Sequence, residues 1–288
     1  MQQPEKGSKK LLNAWAFYDW ANSVYSLVIA SAVFPIFYNQ LVPDGSNVTA
    51  FGAEIKGTAL ITFTTAFAFL IVAFISPLLS GIADYSGNKK FFLKLFCYIG
   101  AVSCIGLYWF DIENLYFSLV CYLFGLIGFW GSLVFYNSYL PDVAFPEQQD
   151  RVSARGYSMG YIGSVVLLIF NLAMIIFPTK FGIDEGGDKA NALLAMKISF
   201  VSVGVWWILF SQYTYYYLPK GVKRNKVTGD VVLNGFRELR KVWGQMSHNP
   251  TLKKYLSAFF VYSMAVQTVM LVATYFGAEE IEWGSEDA

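Results

Sequence analysis

Seven stretches of the chain lack Asp, Glu, Lys and Arg and are long enough, or nearly so, to cross a bilayer. A helix needs about 20 mostly apolar residues to cross the hydrocarbon. Because lipid offers no partner for an open strand edge, each run predicts a helix, and the unbroken apolar runs lack the period of two of a membrane barrel. The runs are Trp20–Pro43, Gly57–Ala83, Leu95–Phe110, Asn114–Pro141, Gly156–Thr179, Ile198–Pro219 and Tyr255–Ala278.

The composition supports the same interpretation. Of the 288 residues, 56% are hydrophobic and only 14% are charged, whereas an average soluble domain has about 25% charged residues. These values exclude a soluble globule, a disordered chain and a disulfide scaffold, and no nucleic-acid partner is expected. We therefore predict an all-α, polytopic membrane protein whose surroundings are the lipid bilayer. The three cysteines lie in apolar stretches and are expected to be small buried hydrophobic residues.

The positive charges predict an orientation. The N-terminus and the 2–3, 4–5 and 6–7 connections together hold 17 Lys and Arg residues, and the alternate segments hold 4. The positive-inside rule therefore places the N-terminus in the cytoplasm and the acidic tail after the seventh run outside. The polar N-terminus resembles no cleaved signal peptide. We predict a multi-pass protein, in the inner membrane if the cell is bacterial.

The connections divide the chain into three parts. Residues 1–217 are predicted to form a six-helix transmembrane bundle of two three-helix repeats. Residues 218–254 form a basic cytoplasmic loop, in which 230–246 has the spacing of an amphipathic surface helix. Residues 255–288 form a seventh transmembrane helix and an external tail. Six spans before a long loop and one after it suggest a six-plus-six protein cut short, so we expect a fragment whose C-terminal half is missing.

Polar residues within or next to the apolar runs indicate a pathway for a solute. The stretch WAFYDWANS places Asp19 and Asn22 at the entry to the first span, and Asn137 and Gln267 lie in the fourth and seventh runs. These four residues are candidates for a polar network between helices. The alternative is that Asp19 only caps a helix, where the dipole favours a negative charge, while Trp15 and Trp20 anchor that helix at the headgroups.

A second stretch, GIADYSGNKK, lies between the second and third runs. An acid and a basic pair in a tight turn can lock two helix ends together by a charge-assisted hydrogen bond that a gate can break. The alternative is an ordinary positive-inside loop. The predicted lock comprises Asp84, Gly87, Lys89 and Lys90, with Arg151 and Arg155 as candidate partners of the acids.

Glycines open the fifth run. Gly156 and Gly160 are four residues apart, and Gly163 follows them. A small residue at every fourth position lets two membrane helices approach closely. We therefore assign these glycines to helix packing.

These three stretches, with RVSARGYSMGYIGS as the third, resemble the major facilitator superfamily, in particular its vacuole-effluxer-like branch. That branch includes fungal autophagy-related amino-acid exporters. Ser80, Tyr85 and Asn88 depart from the superfamily's usual loop, which weakens the expected lock. The resemblance implies a transporter that works by alternating access between two bundles around a central site.

The expected function is therefore secondary-active transport, by a transporter or a fragment of one, of a small neutral or zwitterionic solute, with amino acids as the class that the resemblance implies. The charge-free runs give a proton no obvious carrier. The alternative is a non-transporting scaffold or helper subunit. An enzyme, a cofactor and a metal site are not expected, because no catalytic or ligating residues cluster within the runs. A retinal receptor would need a lysine in the seventh run, which has none.

Overall fold

The computed structural model describes residues 4–43, 45–219, 240, 244 and 249–279, without the side chains of residues 81, 82, 84–86, 267 and 270–279. Apart from residues 240 and 244, the predicted amphipathic helix over 230–246 lies outside this description. The acidic tail after residue 279 also lies outside it.

The first membrane helix is continuous but changes its winding. It begins as helix α1, Lys9–Val24, continues as a π-helical segment, Tyr25–Val33, and ends as α2, Phe34–Leu41. The backbone N–H of Phe34 donates to the carbonyl of Ile29, five residues earlier. Pro35 has no backbone N–H to donate to the preceding turn, and the Ser31 hydroxyl donates to the carbonyl oxygen of Ser26. Both features favour the wider winding.

The remaining elements follow in chain order. The strands β1 and β2 form an antiparallel hairpin between the first two membrane helices. The 3₁₀ turns Leu107–Trp109 and Pro178–Phe181 follow α4 and α7. The elements are β1 Asn47–Ala50, β2 Ala53–Lys56, α3 Gly57–Ser86, α4 Lys89–Gly106, α5 Leu115–Ser138, α6 Leu140–Val143, α7 Pro146–Ile176, α8 Asp188–Tyr217 and α9 Pro250–Glu279.

Within the described part of the chain, six helices are long and apolar enough to cross a membrane, and they overlap the first six charge-free runs. This confirms the predicted all-α, polytopic class. The seventh run also forms a helix, α9, which contacts the π-helical segment. Most of the α9 side chains that the structure describes are exposed, and its crossing of the membrane stays a prediction.

The contacts between the first three spans and the next three are symmetric. The first span, α1, packs against the fifth and sixth, α7 and α8. The fourth span, α5, packs against the second and third, α3 and α4. The third and sixth spans, α4 and α8, pack against each other. Exchanging spans one to three with spans four to six leaves this pattern unchanged, as expected of two three-helix repeats.

Small residues allow the closest helix approaches. An added Cβ atom at Gly128 of α5 would lie 2.3 Å from the Cα atom of Gly100 of α4, so the two backbones touch there. Aromatic rings fill the space between the other helices, with Trp207 and Phe200 of α8 fully buried. The outward faces carry exposed apolar side chains such as Phe63 and Phe67 of α3. This arrangement suits a bundle that is surrounded by lipid.

The helix ends differ from the limits of the charge-free runs. The first span begins at Lys9 instead of Trp20, and the fifth begins at Pro146 instead of Gly156. Charged residues limit the part of a helix that can lie in hydrocarbon, but they do not stop the helix itself. The turn between the second and third spans is also shorter than predicted, since α3 runs to Ser86 and only Gly87 and Asn88 separate it from α4. The β-hairpin was not predicted.

Candidate functional site between the first and fifth helices

The glycines of α7 form a close seam with α1. An added Cβ atom would lie 2.5 Å from Asp19 Oδ2 at Gly156 and 2.5 Å from Ser23 Oγ at Gly160. At Gly163 it would lie 2.9 Å from the Trp20 carbonyl oxygen. All three distances are too short for a real Cβ atom. The polar groups of α1 therefore pack directly against the backbone of α7.

Asp19 is the charged residue at the centre of this seam. Its side chain is 7% exposed, and its Oδ2 atom accepts a 2.8 Å hydrogen bond from the Tyr136 hydroxyl of α5. The capping interpretation is wrong, because α1 begins at Lys9 with Ser8 as its N-cap. Asp19 therefore lies about three turns inside the helix. It is held by a tertiary contact and not by the helix terminus.

The aromatic residues around Asp19 fix the position of Tyr136. The Trp15 ring stacks on the Tyr136 ring with 4.3 Å between centroids, and Trp15 Nε1 donates to the Tyr136 carbonyl oxygen. The Tyr18 ring also packs against the Tyr136 ring, with 5.1 Å between the centroids. Trp15 is 1% exposed, so it does not anchor the helix at the headgroups as one interpretation predicted. The stack holds the Tyr136 hydroxyl in place for Asp19.

The other pathway candidates do not join one network in the structure. Asn22 lies one turn beyond Asp19 and is buried, and its Nδ2 atom has no hydrogen-bond partner among the described residues. Asn137 is exposed, although it follows Tyr136 directly. The side chain of Gln267 lies outside the description. The structure therefore places Asp19 and Asn22 together and leaves Asn137 apart.

The residues of the predicted charge lock lie at one end of the bundle, which we call the N-terminal end (residues 5–13, 84–90, 139–155 and 217–219). Gly87 ends α3 in the left-handed conformation, with a φ angle of 65°, which glycine adopts without strain. Lys89 pairs with Asp142 at 3.0 Å, and Lys90 donates to the Leu218 carbonyl oxygen. The backbone of Asp84 lies in the last turn of α3, and its side chain is not described.

The two candidate arginines occupy the first turns of α7. Arg155 donates to the side-chain oxygen of Asn13 on α1, and Arg151 is exposed. Neither arginine pairs with Asp19 in the described structure, which was one of the predicted pairings. Arg155 instead ties the first and fifth helices together at the N-terminal end of their seam.

The N-terminal segment adds further links at the same end. The backbone N–H of Gly7 donates to the Val143 carbonyl oxygen, and Lys6 donates to that of Pro141. Gln148 donates back to the Gly7 carbonyl oxygen. These bonds connect the chain before α1 to the connection between α5 and α7.

The sequence analysis missed three residues with a central place in this geometry. Tyr136 holds Asp19, Asp142 pairs with Lys89, and Asn13 accepts from Arg155. None of the three was named as a candidate, although Tyr136 directly precedes the candidate Asn137 in the chain. Among the described residues, no group of three or more His, Cys, Asp or Glu side chains could hold a metal ion.

Comparison with known proteins decides the family. The family model described as "Vacuole effluxer Atg22 like" matches residues 7–288. The chain belongs to this family. The resemblance in the three polar stretches is thereby confirmed, and it extends over nearly the whole sequence.

Relatives in the Atg22-like family include bacterial and fungal proteins. An uncharacterized MFS-type transporter of Bacillus subtilis, YxiO, is 33% identical over 93% of this chain and 60% of its own length. Autophagy-related protein 22-1 of Aspergillus clavatus is 22% identical over 83% of the chain and 50% of its own length. The first of these relatives is named as a transporter and the second as an autophagy-related protein. Neither name is that of an enzyme, which agrees with the expectation from the sequence. No solved structure matches the chain.

Coverage limits what these relatives imply. The chain spans 60% of the bacterial relative and 50% of the fungal one. The six membrane helices and the transporter-type relatives together show a multi-pass integral membrane protein of the Atg22-like family.

Proposed function

We propose that this chain forms the N-terminal bundle and seventh helix of a secondary-active transporter that works by alternating access. The observation that carries the proposal is the symmetric pattern of contacts between spans one to three and spans four to six, in a chain of the Atg22-like family. Internal repeats with such symmetry are typical of transporters in which bundles rock around a central solute site. A second bundle, from a C-terminal half, is the partner that this mechanism needs.

The interior chemistry supports a neutral or zwitterionic solute. Among the described residues, the buried polar side chains of the spans are amides and hydroxyls, such as Asn22, Asn171 and Ser132, with Asp19 as the one buried charged group. A permanently charged solute would need opposite charges along its path. Amino acids, which are zwitterions, are the class that we propose.

The N-terminal end of the bundle carries the proposed gate. We propose that Asp84, Gly87, Lys89 and Lys90 close this end, with Arg151 and Arg155 on the facing helix. The pair between Lys89 and Asp142 and the bond from Arg155 to Asn13 show that cations there bridge different helices. We also propose that this end faces the cytoplasm and that the acidic tail lies outside, in the inner membrane if the cell is bacterial.

Solute binding tests the proposed class. A solute that binds only the folded state raises the unfolding temperature. We expect neutral amino acids to raise the unfolding midpoint of the detergent-purified protein, and lysine and glutamate at equal concentration to have smaller effects. An Asn22→Leu variant should lose the shift if Asn22 contributes to the site. Stabilisation by charged solutes alone would contradict the proposal, and so would a shift of equal size with every solute.

A further inference from the structure

Asp19 is a buried carboxyl group that forms no ion pair among the described residues. The structure gives it a hydrogen bond from a neutral group, the Tyr136 hydroxyl, at 2.8 Å. Within the described residues, no Lys or Arg forms an ion pair with it. The nearby Arg155 donates to Asn13, and the ion pair at this end of the bundle joins Lys89 and Asp142.

Ionisable groups lie on every element that packs around α1. On α1 itself they are Lys9, Lys10 and Tyr18, and Lys10 lies over the Tyr217 ring. Those on the surrounding elements are Tyr25 of the π-helical segment, Tyr116, Cys121, Tyr122 and Tyr136 of α5, Asp142 of α6, Glu147, Asp150, Arg151, Arg155, Tyr157 and Tyr161 of α7, and Asp188, Lys189, Lys197, Tyr213, Tyr215, Tyr216 and Tyr217 of α8. Within the described residues none of these cations forms an ion pair with Asp19, and the group that bonds to its carboxyl is the Tyr136 hydroxyl.

This arrangement differs from that of a structural carboxylate. A lone negative charge in a membrane helix is costly unless it is paired, and a carboxyl group avoids that cost by binding a proton. Asp19 also keeps 7% of its surface exposed, whereas the neighbouring Tyr18 and Asn22 are at 0% and 1%. Its carboxyl is therefore largely desolvated, but part of its surface is not covered by the described residues.

We propose that Asp19 is a reversible proton-binding site that couples the transport cycle to a proton gradient. The inference rests on the transport function proposed above. The charge-free runs contain no proton carrier, but Asp19 directly precedes the first of them in the sequence. In the structure Asp19 lies inside the first membrane-spanning helix, Lys9–Leu41, and can therefore serve as that carrier.

The proton step is simple in chemical terms. A proton from water on one side of the membrane forms an O–H bond at Oδ1 of the carboxylate, whose charge falls from −1 to zero. Tyr136 keeps its own proton and donates to Oδ2 in both forms. Release reverses the step, and water on the other side accepts the proton. No oxidant, reductant or other reactant is needed.

Infrared spectroscopy of the protein in liposomes tests protonation without any need for transport. Over a pH titration from about 3 to about 9, which begins below the usual pKa of a carboxyl group, we expect a carbonyl band of a protonated carboxylic acid that Asp19→Asn loses. The exposed Asp184 is a matched control, because Asp184→Asn should keep the band. In Tyr136→Phe the band should remain but shift to higher frequency, since its C=O group loses a donated hydrogen bond. This variant also keeps the test informative if Asp19→Asn does not fold.

Solute flux under an imposed proton gradient, measured with this chain joined to the second bundle that the mechanism needs, tests the coupling. In the wild type we expect the gradient to accelerate flux, and in Asp19→Asn we expect that acceleration to be lost. The inference is overturned if no band depends on Asp19, or if Asp19→Asn responds to the gradient as the wild type does. Failure of the wild type to move any solute, with the Asp19 band present, would instead overturn the proposed transport function.

Discussion

Tyr136 donates its hydroxyl to Asp19 across 2.8 Å, although the two residues are 117 positions apart in the chain. The bond joins the first and fourth spans at the point where Gly156 brings the fifth span against both side chains. Three helices therefore meet at one buried carboxylate. This contact lies where Gly156 packs in the seam between α1 and α7.

Removing the Tyr136 hydroxyl should weaken the bundle. Tyr136→Phe keeps the ring that stacks on Trp15 and keeps the backbone carbonyl that accepts from Trp15 Nε1. It leaves the Asp19 carboxyl without its donor, which costs about 1–3 kcal/mol for a buried group. We expect a lower unfolding midpoint in detergent. Tyr157→Phe, at an exposed tyrosine, is the control and should change little. Equal stability of both variants would show that the bond contributes nothing.

The glycine seam should not tolerate larger side chains. A side chain at Gly160 would overlap the Ser23 hydroxyl, and one at Gly156 would overlap Asp19. Overpacking of this kind typically costs about 1–3 kcal/mol. We expect Gly156→Val and Gly160→Val to unfold at lower temperature than the wild type. Gly187→Ala is the matched control, because its φ angle of 178° suits any residue and no atom lies near its Cβ position. A wild-type midpoint in both valine variants would rule out the close seam.

The charge-lock hypothesis predicts a transport defect without a folding defect. If Asp84 forms a charge-assisted bond at the N-terminal end of the bundle, its loss would shift the gating equilibrium by about 1.5–3 kcal/mol. In a full-length relative we expect the substitution that corresponds to Asp84→Asn to change the rate of solute flux at unchanged membrane insertion. Asp184→Asn, in an exposed loop, should leave flux unaltered. Wild-type flux in Asp84→Asn at matched expression would favour the ordinary loop, because a solvated charge contributes little.

Cysteine labelling tests the proposed orientation on an unmodified background. The native Cys97, Cys104 and Cys121 are free and buried, as predicted, so a membrane-impermeant thiol reagent should label the wild type weakly. Asp150 and Asp184 are exposed and flank the fifth span at opposite ends. We expect Asp184→Cys to be labelled in intact cells and Asp150→Cys only after permeabilisation. The reverse pattern would invert the topology.

Charge-free runs were sufficient to locate six membrane helices, because a run of about 20 apolar residues has few alternatives in a membrane protein. They could not place the helix ends. Lys9, Lys10 and the acids at the start of α7 are compatible with a helix outside the hydrocarbon, so α1 and α7 begin about ten residues before their runs. The four-residue strands β1 and β2 are too short for their alternation to be distinguished from a loop.

The candidate site was predicted only in part. Asp19, Gly156 and Gly160 were recognised from local patterns, namely a polar residue in an apolar setting and a four-residue glycine spacing. Tyr136, which contacts both Asp19 and Gly156, was not, because one sequence does not show which distant residues meet in space. The predicted pairing of Arg155 with Asp19 is not seen in the described part of the chain, because Arg155 donates to Asn13 instead. The sequence alone does not show that Arg155 and Asn13 lie side by side in the fold.

Solute flux in liposomes that contain this chain together with the second bundle of a full-length transporter tests the central claim most directly. The bundle with its symmetric contacts between spans, its amide and hydroxyl interior and its single described buried acid support a transporter of neutral or zwitterionic solutes. Counterflow should therefore accumulate a labelled neutral amino acid against an excess of the unlabelled compound, and empty liposomes should not. Counterflow of a cationic or anionic amino acid alone, or of no amino acid in correctly folded protein, would contradict this account.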